Sequence, residues 1–223
     1  MNKTDFLRNI QTRLGRSTNA QVASYQKGIP ERNAVLSYSQ EELIEEYTKN
    51  LEAVHGEVFV ANDTKDVQQA LQTIIERHQA QSIIRWDDEE LTQLPIDQTA
   101  IAAKTTIDIW DKEATKESNI AIAKQADIGI TTADFAIANT GTAVLIYNEK
   151  KGRGVSLLPP VHIIIFKQEQ LVARMGNLFT KIREKDFSTL HFLTGPSKSG
   201  DIELQMTTGV HGPKHVYAIV RTD

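Results

Sequence analysis

The chain has 223 residues, with 25 Lys and Arg against 29 Asp and Glu, a formal charge of −4 at neutral pH. Its 40% hydrophobic and 24% charged residues are those of an ordinary globular protein and exclude collagen-like, mucin-like and disordered chains; the mild acidity argues against nucleic-acid or membrane-surface binding, which needs clustered positive charge. No cysteine is present, so no disulfide, thiolate zinc site, iron–sulfur cluster or cysteine nucleophile can come from this chain.

Phe6, Ile10 and Leu14 recur every fourth residue and predict an amphipathic helix that Gly15 stops. Met1–Leu14 spreads charges among its apolar residues and has no small-residue cleavage site, so a signal peptide is not expected and a cytoplasmic location is. Arg16 to Ser37 lack periodicity and contain Gly28-Ile29-Pro30, the mark of an extended connection. Ser39 and Glu42 form a capping box ahead of the stripe Leu43, Tyr47, Leu51, Val54, with Gly56 as the stop. Val58–Val60 reads as a buried strand. Thr64 is placed to cap a second helix whose buried face is Val67, Leu71, Ile74 and Ile75. Ser82–Trp86 is the next strand, and Asp87–Glu90 the acidic first turn of a short helix.

Ile107–Trp110 is a third strand and Asn119–Gln125 part of a helix; Ile128–Thr131 and Phe135–Ala138 are apolar, and Asn139–Thr142 turns the chain into Ala143–Tyr147 as a hairpin. Pro159-Pro160 precedes the strand Val161–Phe166, too short an apolar run for the roughly 20 residues of a membrane span. A helix is expected over Gln168–Ile182, then strands at His191–Leu193 and Val216–Val220. Strands alternating with helices predict an α/β layer with a largely parallel sheet. The expected organisation is an N-terminal helix and connection over 1–38 and one α/β domain over 39–223.

Three turns rich in glycine and hydroxyls stand out: Asn139–Thr142, Gly195–Gly200 and Gly209–Pro213. Such turns expose backbone N–H groups and hydroxyl donors, which suit carboxylate or phosphate oxygens. Each follows an apolar strand-like segment, so the three are expected to meet at the carboxyl ends of the strands, with Thr140, Gly141, Thr142, Gly195, Ser197, Asp201, Gly209 and Gly212 as candidate anion-binding residues. Neither a P-loop nor a Gly-x-Gly-x-x-Gly fingerprint is present. Asp201 and Glu203 are carboxylates on one side of an extended segment, equally suited to capping a helix. Of the histidines, His162 reads as a hydrogen-bonded strand residue and His211, between glycines, as the best proton-transfer candidate. No His-x-x-x-His or His-Glu-x-x-His spacing among His162, His211 and His215 marks a zinc site, and no metal is expected.

At these turns the sequence resembles a known family. Ala136–Thr142, Gly195-Pro196-Ser197 with Asp201-Ile202-Glu203, and Gly209-Val210-His211-Gly212-Pro213 are similar to the LUD domain of lactate-utilisation proteins, and Arg153, Ser156, Leu157 and Pro159 fit the same pattern. Two positions depart from it: Asn139 stands where relatives often carry an acid, and Ser199-Gly200 where many have threonine or alanine. The resemblance implies a mixed, largely parallel sheet flanked by helices, as in phosphosugar isomerases and CoA transferases. It also implies membership of a bacterial three-protein system that oxidises L-lactate to pyruvate, in which two partner proteins carry iron–sulfur clusters and this chain, holding no cofactor, is the accessory subunit with a crevice for a small carboxylate. The alternatives are an independent enzyme of isomerase, CoA-transferase or folate cyclo-ligase type using His211, Glu203 and Lys198, and a ligand-binding regulator of lactate metabolism.

Overall fold

The computed structural model describes residues 3–13, 15, 38–182, 189–200, 206–209 and 211–223. Two units are present, Met1–Val35 and Leu36–Asp223. The first contributes the helix α1 (Lys3–Arg13), with Gly15 beyond it at φ 64°; Leu14 and the connection expected over 16–37 lie outside the described residues. The second runs α2 (Gln40–Ala53), β1 (Glu57–Ala61), α3 (Thr64–His78), β2 (Ser82–Arg85), α4 (Glu89–Gln93), α5 (Ile96–Ala102), β3 (Thr106–Ile109), α6 (Lys116–Gln125), β4 (Ile128–Thr132), β5 (Phe135–Ile137), β6 (Thr142–Ile146), α7 (Gly154–Leu157), β7 (Val161–Lys167), β8 (Leu171–Val172), α8 (Met175–Ile182), β9 (Leu190–Leu193), β10 (Lys198–Gly200), β11 (Met206–Thr208) and β12 (His215–Arg221).

Local chemistry sets most of these boundaries. Ser39 Oγ accepts the Glu42 N–H at 3.2 Å and Glu42 Oε2 accepts the Ser39 N–H at 2.8 Å, the expected capping box. In α3 the cap is Asp63 rather than Thr64: its Oδ1 accepts the N–H groups of Lys65 and Asp66 at 2.7 and 2.9 Å. A carboxylate satisfies two donors and the positive helix end together, which a hydroxyl does less well. No side-chain cap opens α5, whose start is marked only by Pro95 and the first-turn Asp97.

Six strands form one sheet in the order β1-β12-β7-β4-β2-β3, every neighbouring pair parallel. Its central strands are buried on both sides, as in Val161–Phe166, because both faces are covered. Register partners share a face, so three helices are placed by their contacts. Tyr217 meets His78 of α3 and Arg85 meets Asp97 of α5 on one side. Phe166 meets Tyr47 of α2 on the other, ring centroids 5.3 Å apart. On that second side α7 lies so close to β4 that a Cβ on Gly129 would fall 1.9 Å from the Val155 carbonyl oxygen.

The second side also carries a four-stranded sheet, β8-β5-β6-β9, and β10 and β11 pair as a separate antiparallel hairpin. In the four-stranded sheet Ala136, Ala143, Leu145, Leu171 and Leu193 join the main core, while Phe135, Ile137, Val144 and Val172 form a second core with Leu178 and Ile182 of α8. This sheet corrects the helix expected over Gln168–Ile182. Gln168–Gln170 is a 3-10 turn, β8 pairs parallel with Ala136 and Ile137, and the helix begins only at Met175. Leu171 and Val172 are adjacent yet enter different cores, as the alternation of a strand directs successive side chains to opposite faces.

Arg85 is 2% exposed and holds Asp97 through Nε–Oδ1 at 3.0 Å and Nη2–Oδ2 at 3.1 Å, with Nη1 donating to the Trp86 carbonyl. Asp97→Asn leaves the buried guanidinium short of its counter-charge. Since Asp97 is itself half exposed, the loss should be about 2 kcal/mol, below the 3–5 of a fully buried pair, and a thermal melt should show a fall of roughly 4–8 °C.

Candidate functional site

The three turns do come together, but at the amino ends of the parallel strands. Thr142 Oγ1 lies 2.7 Å from Thr140 Oγ1 and 2.6 Å from Thr194 Oγ1, which joins the first turn to the second. Ser197 N–H donates to the Pro213 carbonyl and Gly209 N–H to the Ser197 carbonyl, both at 2.9 Å, joining the second to the third. Pro213 leads into β12, and Lys214 N–H donates to Pro160, which leads into β7. The expected carboxyl-end crevice fails for these turns because β6 and β9 belong to the antiparallel part of the second sheet, and the Gly209 turn precedes its parallel strand rather than following one.

The end of α2 closes the cluster. Asn50 Nδ2 donates to the Ala138 carbonyl at 2.9 Å, and Gly195 packs beside Val54. Gly141 has φ 60°, and a Cβ there would lie 2.4 Å from the Leu51 backbone nitrogen, so both conformation and space demand glycine. The three threonine hydroxyls hold three protons and use two in their mutual bonds, leaving one donor to offer. Asn139 donates its N–H to the Ala173 carbonyl, and its buried Oδ1 has no partner among the described residues. Gly212 faces Ser197, while His211 and Lys198 are exposed. Asp201 and Glu203 lie outside the described residues.

A second polar group, which sequence reasoning missed in part, lies between the two sheets. Tyr147 Oη is 2.5 Å from His191 Nδ1 and 3.0 Å from Ser156 Oγ, and Ser156 Oγ donates to the Arg153 carbonyl at 3.1 Å. Beneath it His162 is fully buried with Nε2 2.9 Å from Thr131 Oγ1, the hydrogen-bonded strand residue expected; its Nδ1 has no partner among the described residues. Burial, helped by the neighbouring His191, pulls its pKa down to about 3, so the ring is neutral. Burial and then the Arg153 charge lower His191 as well. Ser156 and Arg153 were visible as family-like positions; Tyr147 and His191 were not, because a polar ring in an apolar strand reads as core. Beside Arg153 an apolar cleft of about 430 Å³ opens, lined by Trp110, Lys116, Ile120, Leu157 and Leu158 among others.

At the carboxyl ends of β2 and β4, where open α/β sheets commonly hold ligands, the charges satisfy one another. Asp88 Oδ1 accepts the Glu90 N–H at 2.9 Å, and Oδ2 takes Thr132 Oγ1 at 3.0 Å and Lys151 Nζ at 2.6 Å. Lys151 also lies 5.3 Å from the centre of the Trp86 ring. Burial alone would raise the Asp88 pKa, but the Lys151, Thr132 and Glu90 interactions outweigh it and leave the carboxyl below its usual value.

The LUD domain family matches residues 44–220, and the chain belongs to it. Among relatives, it is 34% identical to Lactate utilization protein C of Anoxybacillus flavithermus over 98% of both chains, and 34% identical to Lactate utilization protein C of Oceanobacillus iheyensis over 98% of this chain and 97% of that one. The fold is similar to the crystal structure of a DUF162 family protein from Deinococcus radiodurans, with a TM-score of 0.60 at 19% identity, covering 83% of this chain and 99% of the other.

A depressed carboxyl contributes stability above its unfolded pKa and loses it as the pH falls through the folded one. Lys151→Met removes the strongest partner of Asp88, so parent and variant should differ in melting temperature at pH 7. The gap should close as the pH drops below the ordinary aspartate value of 3.8; melts between pH 2.5 and 7 measure it.

Proposed function

We propose that this chain serves lactate utilisation as the cluster-free member of a cytoplasmic three-protein system that oxidises L-lactate to pyruvate. Two iron–sulfur proteins would carry the electrons, and this chain would bind a small carboxylate and support their assembly. The observation that carries the reading is the match to proteins named Lactate utilization protein C along nearly their whole length, which makes a shared role more credible than a shared fold would. Two further facts agree with it. A chain without cysteine has no thiolate for a cluster, so the iron–sulfur clusters of such a system would have to sit on partners. Among the described residues no helix is long and apolar enough to cross a membrane.

Deleting the gene should slow growth on L-lactate and leave growth on pyruvate intact, and an affinity-tagged chain should recover two iron-containing proteins in fixed ratio. Equal growth of mutant and parent on lactate would remove the assignment.

A further inference from the structure

The hydrogen bonds between the sheets fix where the protons lie. Ser156 Oγ gives its proton to the Arg153 carbonyl, so towards Tyr147 it can only accept, and the phenol donates to it at 3.0 Å. A phenol has one proton. With all three bonds made at once, Tyr147 Oη accepts from His191, and Nδ1 carries the hydrogen in the 2.5 Å bond. The neutral ring then has its lone pair on Nε2, an atom with no hydrogen-bond partner among the described residues, on a half-buried side chain. Arg153 supplies the backbone end of the chain of bonds, its side chain is exposed, and its guanidinium has no carboxylate within 4 Å among the described residues. A fixed acceptor on a ring that feels the charge of an unmatched cation is complementary to a molecule with one hydroxyl proton and one negative charge.

We propose that His191 Nε2 accepts the hydroxyl proton of a small hydroxy acid whose carboxylate is held by Arg153, with Tyr147 and Ser156 as positioning residues that lock the imidazole tautomer. The proposal deepens the lactate-utilisation reading and rests on it for the size of the ligand. It concerns binding and orientation: no electrons move, and the hydroxyl proton stays shared between ligand oxygen and Nε2. A keto acid offers the same carboxylate but no proton to Nε2, so the site discriminates between the two oxidation states. The ionisable groups facing the imidazole are Tyr147 from the end of β6, Arg153 from the segment before α7, and His162 from β7. Burial and Arg153 keep His191 neutral below the ordinary histidine value of 6.5. Affinity for the hydroxy acid is therefore present above that depressed pKa and lost only as the pH falls through it.

The test is calorimetric titration of the full chain with L-lactate, glycolate and pyruvate. The parent should bind both hydroxy acids at least tenfold more tightly than pyruvate, with less than a twofold change between pH 7.5 and 6.5. His191→Asn retains a donor towards Tyr147 and lacks Nε2, so it should bring the hydroxy acids down to the pyruvate level and leave pyruvate unchanged; Arg153→Gln should weaken all three. Nitrogen-15 NMR of the unmodified chain reads the tautomer directly, so the proposal stays exposed to test if a variant fails to fold. Absence of hydroxy-acid binding, equal affinity for pyruvate, an unaffected His191→Asn, or an Nε2–H tautomer overturns it. Slow growth of the deletion strain on lactate together with no binding sinks this site alone, whereas binding together with normal growth supports the site and sinks the physiological reading.

Discussion

One backbone-to-backbone approach seats everything on the second side of the parallel sheet: the turn at Gly141 against the last turn of α2. No side chain fits there, since a Cβ would lie 2.4 Å from the Leu51 nitrogen, and the Asn50 amide ties the same turn through the Ala138 carbonyl. Because Thr142 begins β6 and its hydroxyl reaches Thr194 at the end of β9, this contact fixes the second sheet as well as the helix. The buried seam follows from it, since Tyr147 directly follows β6 and His191 sits in β9, where it bonds the Tyr147 hydroxyl. Any residue that pushed the Gly141 turn outward would widen the space between the sheets, and hydrogen bonds of 2.5–3.0 Å have little tolerance for such widening.

Legibility in the sequence followed the range of the interaction. Capping boxes, apolar stripes and buried strand runs are local, and the capped α2 and the strand at Val161–Phe166 stand where the pattern puts them. Elements whose identity depends on a distant partner carry no local sign of it. Leu171 and Val172 look helical in isolation because they continue a favourable run; only pairing with Ala136 and Ile137 makes them a strand. Similarly, Thr64 is a respectable cap by type, and only the Asp63 backbone at φ −153° and ψ −179° decides against it.

The same rule governs the polar residues. The glycine turns were conspicuous as composition, and they do meet, but composition carries no direction: which end of the sheet they occupy depended on β6 and β9 being antiparallel. Tyr147 and His191 were illegible for the opposite reason, since each is a single polar residue in an apolar stretch and nothing local says that two such residues 44 positions apart will face each other. Buried polar residues read as anomalies only once their partners are known.

The segment between β6 and α7 links the two ends of the domain. Trp86 Nε1 donates to the Gly152 carbonyl at 2.9 Å and Trp110 Nε1 to the Glu149 carbonyl at 3.2 Å, so each tryptophan in the chain pins the same short stretch from a different strand end. Out of that stretch Lys151 extends to Asp88 at the carboxyl ends of the strands, while Arg153 stands beside the seam between the sheets. The two indoles therefore act as a built-in gauge: one is sealed in the core, 0% exposed, and the other lines an open cleft. A shift of this strut changes the surroundings of both at once, so emission wavelength and quencher access report a movement of the strut without any added label.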